Sequence, residues 1–501
     1  MKPKSALNRR EFVKKMIYGG LGGAAGIAGL HFLTRKKTPQ YNVLLIIADD
    51  LRPQLGCYGE TQMKTPNIDR LASQSIVFDH SYCQVALCAP SRACLLTGLR
   101  PDSTHIIDLN HRVSEMVPNH MTLPGVFKKN GYLTLSAGKV YHHGNDDMAS
   151  WSEEPFKIKG KDYCSDYWKE IASLNIKNHS GDESYGGPPF EKTDVPDNFY
   201  KDGKVADYVC KRLTKIKNNP FFYGVGFIKP HLPFNVPRRY WEMYDPSSLK
   251  LPSNSKPPVD AAELSLADFQ ELRKYYGIPE EKHSLVPEEM TRQLIHGYYA
   301  SVSFLDAQVG RVLDALETSG LSKNTIVILW GDNGFKLGEH GNWCKHSNME
   351  DDTRVPLIIR VPGLTDRGRH SGGFVESVDI YPSLCELCDL DLPNQNMEGT
   401  SFVPLLETPA RSWKKAVFSQ YLRGKSSLLR GTKIGYAIRT SQFRYIEWRD
   451  YRKGKLKERE LYDHKIDPGE NINVISDPRY RDIIPELEKM MKNGWKGAKP
   501  D

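Results

Sequence analysis

Net charge is nearly absent from this chain once its first residues are set aside. The whole sequence carries 69 Lys/Arg against 61 Asp/Glu, formally +8. Residues 1–37 hold nine of those cations (Lys2, Lys4, Arg9, Arg10, Lys14, Lys15, Arg35, Lys36 and Lys37) and one acid, Glu11, so this segment alone accounts for +8. The remainder sums to zero. Without a global basic field there is no electrostatic case for nucleic acid as a partner, and an anionic substrate must be gathered by local charges. Also lacking is a second CxxC pair to accompany Cys385-Glu-Leu-Cys388, which leaves zinc weakly supported and apolar, helix-borne cysteines as the simpler reading. The nine cysteines are odd in number, and no disulfide pairing can be assigned from them. No clear Ala-x-Ala cleavage site follows the N-terminal apolar run; Gly26-Ile27-Ala28 comes nearest.

What is present fits an ordinary globular protein. Its 501 residues, 39% hydrophobic and 26% charged, allow one large domain and a smaller one. At the N-terminus, Arg9-Arg10-Glu11-Phe12 precedes a weakly hydrophobic, Gly/Ala-rich run from Met16 to Leu33. The pattern resembles a twin-arginine export signal, with an ordinary Sec signal as the alternative. The run is also about the minimum length for a retained membrane anchor. Residues 1–37 are therefore read as an export signal or anchor, residues 38–410 as the main domain and residues 411–501 as a C-terminal subdomain. Export machinery would be a partner, and the location periplasmic or envelope-anchored.

The main domain reads as alternating buried strands and helices. Asn42–Ala48 is a continuous apolar, β-branched run, as expected for a strand buried on both faces. Further strands are expected over 131–138, 220–228, 325–330 and 355–361. Helices are expected after Thr65-Pro66, around 205–216 and over 291–318. Polar residues recur just past the strand ends: Asp49 and Asp50, Lys139 and His142, His231, then Asp332, Asn333 and Lys345. Each could be a solvated loop. In an open parallel sheet, however, they would converge on the edge where such sheets bind ligands. Adjacent carboxylates buried at a strand end are costly unless a cation holds them, and oxygen donors suit calcium or magnesium.

Cys88-Ala89-Pro90-Ser91-Arg92 is the most informative stretch. Pro90 pre-sets a first helical turn, so Cys88 would lie near a helix N-terminus beside a cation, where negative charge is stabilised. Taken alone, this could equally be a buried cysteine opening a core helix. The full string, continuing to Thr97-Gly98, resembles the signature of the type I sulfatases, in which a separate enzyme oxidises the cysteine to formylglycine. Gly138-Lys139-Val140-Tyr141-His142, Lys229-Pro230-His231-Leu232-Pro233-Phe234 and Leu337-Gly338-Glu339-His340-Gly341 through Lys345 resemble the iduronate-2-sulfatase-like branch. Iduronate-2-sulfatase itself has His where this chain has Asn333, a residue common there in other sulfatases and a competent oxygen ligand. Residues 145–195 match poorly.

The resemblance implies an alkaline phosphatase/sulfatase-like α/β fold: a large mixed, mostly parallel sheet between helices, with a small antiparallel α+β subdomain. It implies one calcium ion held by Asp49, Asp50, Asp332, Asn333 and the modified Cys88. It further implies Arg92, Lys139 and Lys345 as sulfate-stabilising cations, His231 as the acid and His142 as the base of the elimination step. Hydration of the formylglycine would give a geminal diol, one hydroxyl attacking sulfur and the other later expelling sulfate. The expected activity is hydrolysis of a sulfated oligosaccharide of glycosaminoglycan or ulvan type, with a formylglycine-generating enzyme as a partner. A phosphoesterase and a non-catalytic sugar-binding relative are the alternatives. Beyond residue 410, polar loops are expected over 411–433. Alternating strands at 436–439 and 443–448 and a helix near 483–491 would follow.

Overall fold

The computed structural model describes residues 41–142, 147–157, 160, 162–178, 186–216, 219–266, 270–282, 284–364, 367–423 and 432–500. The expected export segment lies outside them. Among the described residues, no helix is long and apolar enough to cross a membrane.

Seven strands make the main sheet: β1 (Asn42–Asp49), β2 (Ile76–Phe78), β3 (Leu133–Gly138), β4 (Phe221–Pro230), β5 (Thr325–Gly331), β6 (Leu357–Arg360) and β7 (Arg369–Ser371). Their order is β7-β2-β6-β5-β1-β4-β3. β1 lies in the middle, parallel to β4 on one side and β5 on the other. The β3–β4 and β2–β7 pairs are also parallel. β6 runs antiparallel to both of its neighbours, so the sheet is mixed.

Strict alternation along β1 builds two cores. Leu44, Ile46 and Ala48 enter one face, while Val43, Leu45 and Ile47 enter the other; all are fully buried. The first core is covered by helices at Lys201–Leu213 and Glu288–Thr318. The second is covered by α1 (Cys88–Thr97) and a helix at Ile380–Leu387. Burying each large aliphatic side chain contributes about 1.5–3 kcal/mol. This two-sided burial explains why β1 is apolar from Val43 to Ala48 and turns polar at Asp49.

All ten residues of α1 are buried, and Gly98, at φ 67°, stops the helix by donating its N–H to the Cys94 carbonyl at 2.9 Å. Cys385 and Cys388 are buried in the second core, on the 380–387 helix and at its C-cap, which accounts for their spacing without zinc. No disulfide joins the nine cysteines.

The C-terminal part forms a four-stranded antiparallel sheet: β8 (Ala416–Arg423), β9 (Lys433–Thr440), β10 (Phe443–Asp450) and β11 (Leu456–Asp463). Its last helix, Ile483–Gly497, packs Leu487 against Ile438, Tyr445 and Leu461. β8 corrects the expectation of polar loops over 411–433. Its burial is intermittent, and its polar residues Ser419, Gln420 and Arg423 obscure the strand pattern. The sheet is tied to the main one beside Lys345: Asn348 Nδ2 donates to the Gly435 carbonyl at 3.0 Å, and Arg444 to the Asn348 carbonyl at 2.7 Å.

Candidate active site

The ends of three adjacent parallel strands deliver the site, with carboxylates from β1 and β5 and His231 from β4. Asp49 is the last residue of β1, and the register against β4 shifts between Ala48 and Asp49. Asp50 turns the chain with φ 62°, a left-handed conformation that Asp tolerates better than bulky residues. Its N–H donates to Asp332 Oδ1 at 3.0 Å, which locks the end of β1 to the loop after β5. From β4, the His231 N–H donates to the Asp49 carbonyl at 3.2 Å.

These contacts gather the residues singled out in the sequence. Cys88 Sγ lies 3.2 Å from Asp49 Oδ1 and 4.0 Å from Asp50 Oδ1. Arg92, one helical turn on, reaches Asp332 Oδ2 at 2.8 Å and Asp49 Oδ1 at 3.3 Å. Lys139 pairs with Asp49, and Lys345 with Asp50 Oδ2 at 2.7 Å. Lys345 sits between Cys344 (φ 66°) and His346 (φ 98°), two residues in a conformation that costs about 1–3 kcal/mol each unless the surroundings impose it. Asn333 Nδ2 donates to Asp50 Oδ1 at 2.7 Å. His142 is half-buried and is the last described residue of the loop after β3.

Burial sharpens the electrostatics. Asp49, Asp50, Asp332 and Asn333 are all fully buried. Burial alone would raise the Asp49 pKa, but Lys139, His231, Arg92 and Lys345 outweigh it and hold the carboxyl well below its usual range. Asp332 has less compensation: burial, together with the neighbouring charges of Asp49 and Asp50, pushes it up to about 6 against the pull of Arg92. For His231, burial and Lys345 favour the neutral ring, yet Asp50, Asp49 and Glu271 prevail and raise its pKa.

Cys88 departs from expectation. Burial and then Asp49 push its thiol well above the ordinary value, despite Lys139 and Lys345. The helix start therefore does not yield a thiolate, and an unmodified Cys88 is a poor nucleophile.

The donor set fits a hard divalent cation. Asp49, Asp50, Cys88 and Asp332 each bring a ligand atom within 4.8 Å of the others. Asn333 Oδ1 points the same way, being buried with no hydrogen-bond partner. A buried oxygen without a donor is costly, and a cation would satisfy it.

A sulfatase family model matches residues 41–390, and a model described as the C-terminal part of N-sulphoglucosamine sulphohydrolase matches residues 338–496. Mouse iduronate 2-sulfatase is 33% identical, over 90% of this chain and 93% of its own length. The chain belongs to the sulfatase family. A sulfatase of Formosa agariphila is 30% identical, over 91% of this chain and 87% of its own. The fold is shared with a phosphonate monoester hydrolase of Agrobacterium radiobacter, at TM-score 0.71 and 24% identity, covering 90% of this chain and 95% of that one. As a sulfatase, the protein is a sulfuric ester hydrolase, and the mixed sheet with its antiparallel C-terminal sheet is the expected architecture.

One residue of this sulfatase's site was not singled out in its sequence. Glu271 is 7% exposed, with Oε1 3.1 Å from His231 Nε2 and Oε2 3.3 Å from Lys345 Nζ. It sits on a four-residue helix, Gln270–Arg273, far along the chain from the strand ends that carry the rest of the site. No spacing rule points to it; only the fold reveals it.

Proposed function

We propose that this sulfatase hydrolyses sulfate esters of a carbohydrate, in the manner of iduronate 2-sulfatase, through Cys88 oxidised to formylglycine and one calcium ion. The observation that carries the reading is the Cys88–Arg92 signature folded directly against Asp49, Asp50 and Asp332. The similarity to iduronate 2-sulfatase supports a uronate-containing oligosaccharide of glycosaminoglycan or ulvan type.

Asp49, Asp50, Asp332, Asn333 and position 88 would hold the cation, which supplies polarisation of the sulfate oxygens and a lowered pKa for the nucleophile. Oxidised and hydrated, position 88 would supply one hydroxyl to attack sulfur and a second to release sulfate. Charge supports this division. With His231 carrying its proton, Arg92, Lys139, Lys345 and His231 equal Asp49, Asp50, Asp332 and Glu271 in number. A divalent ion then leaves the site positive, which suits an anionic sulfate monoester.

Arg92, Lys139 and Lys345 stabilise the sulfate oxygens. His231 donates a proton to the departing sugar oxygen from Nε2. Its Nδ1 lies 2.6 Å from the Leu232 carbonyl, which accepts a hydrogen there and fixes the ring. His142 takes the proton in the elimination step.

The family also supports a maturation enzyme acting on Cys88. The Arg9-Arg10 segment supports export to the envelope, and the change in sheet type supports a main unit over 38–410 and a subdomain over 411–501.

The phosphoesterase reading retains one favourable observation, the fold shared with a phosphonate monoester hydrolase. Assaying 4-nitrophenyl sulfate and 4-nitrophenyl phosphate side by side separates the two. We expect sulfate release to dominate, and faster phosphate release would overturn the assignment. The mass of the Cys88 peptide from the native host should show the aldehyde, and a plain thiol would remove the proposed nucleophile.

A further inference from the structure

Resting on the proposed activity, we infer that Glu271 is a specificity residue: its carboxylate accepts a hydrogen bond from a free hydroxyl beside the sulfated one and rejects a second anion there. The Nδ1 of His231 is committed to the Leu232 carbonyl, so Nε2 is the nitrogen that can serve the leaving oxygen. Glu271 Oε1 faces that same Nε2 at 3.1 Å. Glu271 therefore does not act from behind the imidazole; it stands where the leaving group must arrive.

Its other contacts keep it there. Oε2 is 3.3 Å from Lys345 Nζ and 3.7 Å from His346 Nε2. Lys345 in turn is anchored to Asp50 at 2.7 Å. Among the described residues, Glu271 is the one carboxylate of this cluster that does not come from a strand end or bear on Cys88. It thus faces the sugar rather than the sulfate.

On a pyranose ring, the oxygen on the carbon next to the scissile ester lies about one hydrogen-bond length from the leaving oxygen. A carboxylate that touches the acid is consequently within reach of that neighbour. An ionised carboxylate only accepts hydrogen bonds, so it can take a hydroxyl but neither an ether nor a sulfate. A second sulfate would meet a buried like charge, and discrimination by such repulsion is as effective as added attraction.

The test compares three pyranoside substrates: a monosulfate with a free adjacent hydroxyl, its O-methyl ether at that hydroxyl, and the vicinal disulfate. Wild-type kcat/KM should fall about 10–100-fold from the first to the second, and further for the third. Glu271→Gln should shrink the disulfate penalty at least about tenfold, and Glu271→Ala should abolish the preference for the hydroxyl over the ether. Ratios between substrates are the readout, because a general loss of folding or of acid catalysis lowers all three together. Equal wild-type rates on the three substrates, or ratios unchanged in both variants, would overturn the inference. Sulfate release from 4-nitrophenyl sulfate reports the underlying activity separately.

Discussion

At the scale of single residues, the site is a competition between burial and charge that the cations win at Asp49 but not at Asp332. The same competition leaves Cys88 protonated, so the thiol has no intrinsic reactivity to exploit. Cys88→Ser, left as an unoxidised hydroxyl, should end multiple turnover, leaving at most a stalled covalent sulfate ester; release of the desulfated alcohol followed past one equivalent decides it. His231→Gln should lower kcat by about 10²–10⁴-fold on sugar sulfates and much less on 4-nitrophenyl sulfate, whose leaving group needs no proton. His231 has its pKa raised by Asp50, Asp49 and Glu271, so its proton-bearing form persists above the usual imidazole range. The rate on sugar substrates should therefore hold at low pH and fall as pH rises through that raised value. A rate that rises across the same interval would remove His231 from the acid role.

At the scale of elements, what positions these residues is the close approach of backbones past the strand ends. Gly226 in β4 lies against the Lys139 backbone, where an added Cβ would collide with the Lys139 carbonyl. The Lys139 N–H donates to the Gly226 carbonyl at 2.9 Å, and Arg92 holds both the Lys139 and Val140 carbonyls. Gly226→Ala should thus displace Lys139 and lower stability by about 1–3 kcal/mol, which urea unfolding together with the KM for sulfate esters would detect. An unchanged KM would detach Lys139 from sulfate binding. This edge was legible in the sequence because strands buried on both faces are apolar throughout, and their ends are marked by abrupt polarity. The antiparallel direction of β6 was not legible, since its core Leu357–Ile359 is apolar whichever way it runs. β8 was obscured because its polar residues Ser419 and Gln420 are buried where an apolar pattern would be expected. Glu271 was invisible because a single acid on a four-residue helix has no period to betray it.

At the scale of the whole molecule, buried charge networks tie residues of the main domain to the C-terminal part and set the acid limit of stability. Glu376 is held by Arg100 at 2.7 Å and Lys414 at 2.8 Å, and Glu350 by Arg439 at 3.1 Å and Arg444. Burial opposes their ionisation, but these cations prevail and lower both groups to about 2. Their folded values lie below the unfolded ones. The stability they contribute is therefore complete above the ordinary Glu range and lost as pH falls toward about 2. The Tm should drop steeply over that interval, and a flat Tm would show these pairs to be uncoupled from folding. Asp332 has the opposite sign. Raised to about 6, it costs stability as pH climbs through that value, unless a cation favours its charged form. Calcium should accordingly raise the Tm near neutral pH more than at about pH 5, and a chelator should reverse the gain. The most direct measurement is sulfate release from a sulfated uronate oligosaccharide by enzyme matured in a host that oxidises Cys88, beside Cys88→Ala prepared identically. We expect steady turnover in the first and a loss of at least about 10³-fold in the second; equal rates would contradict the assignment of Cys88 as the reacting position.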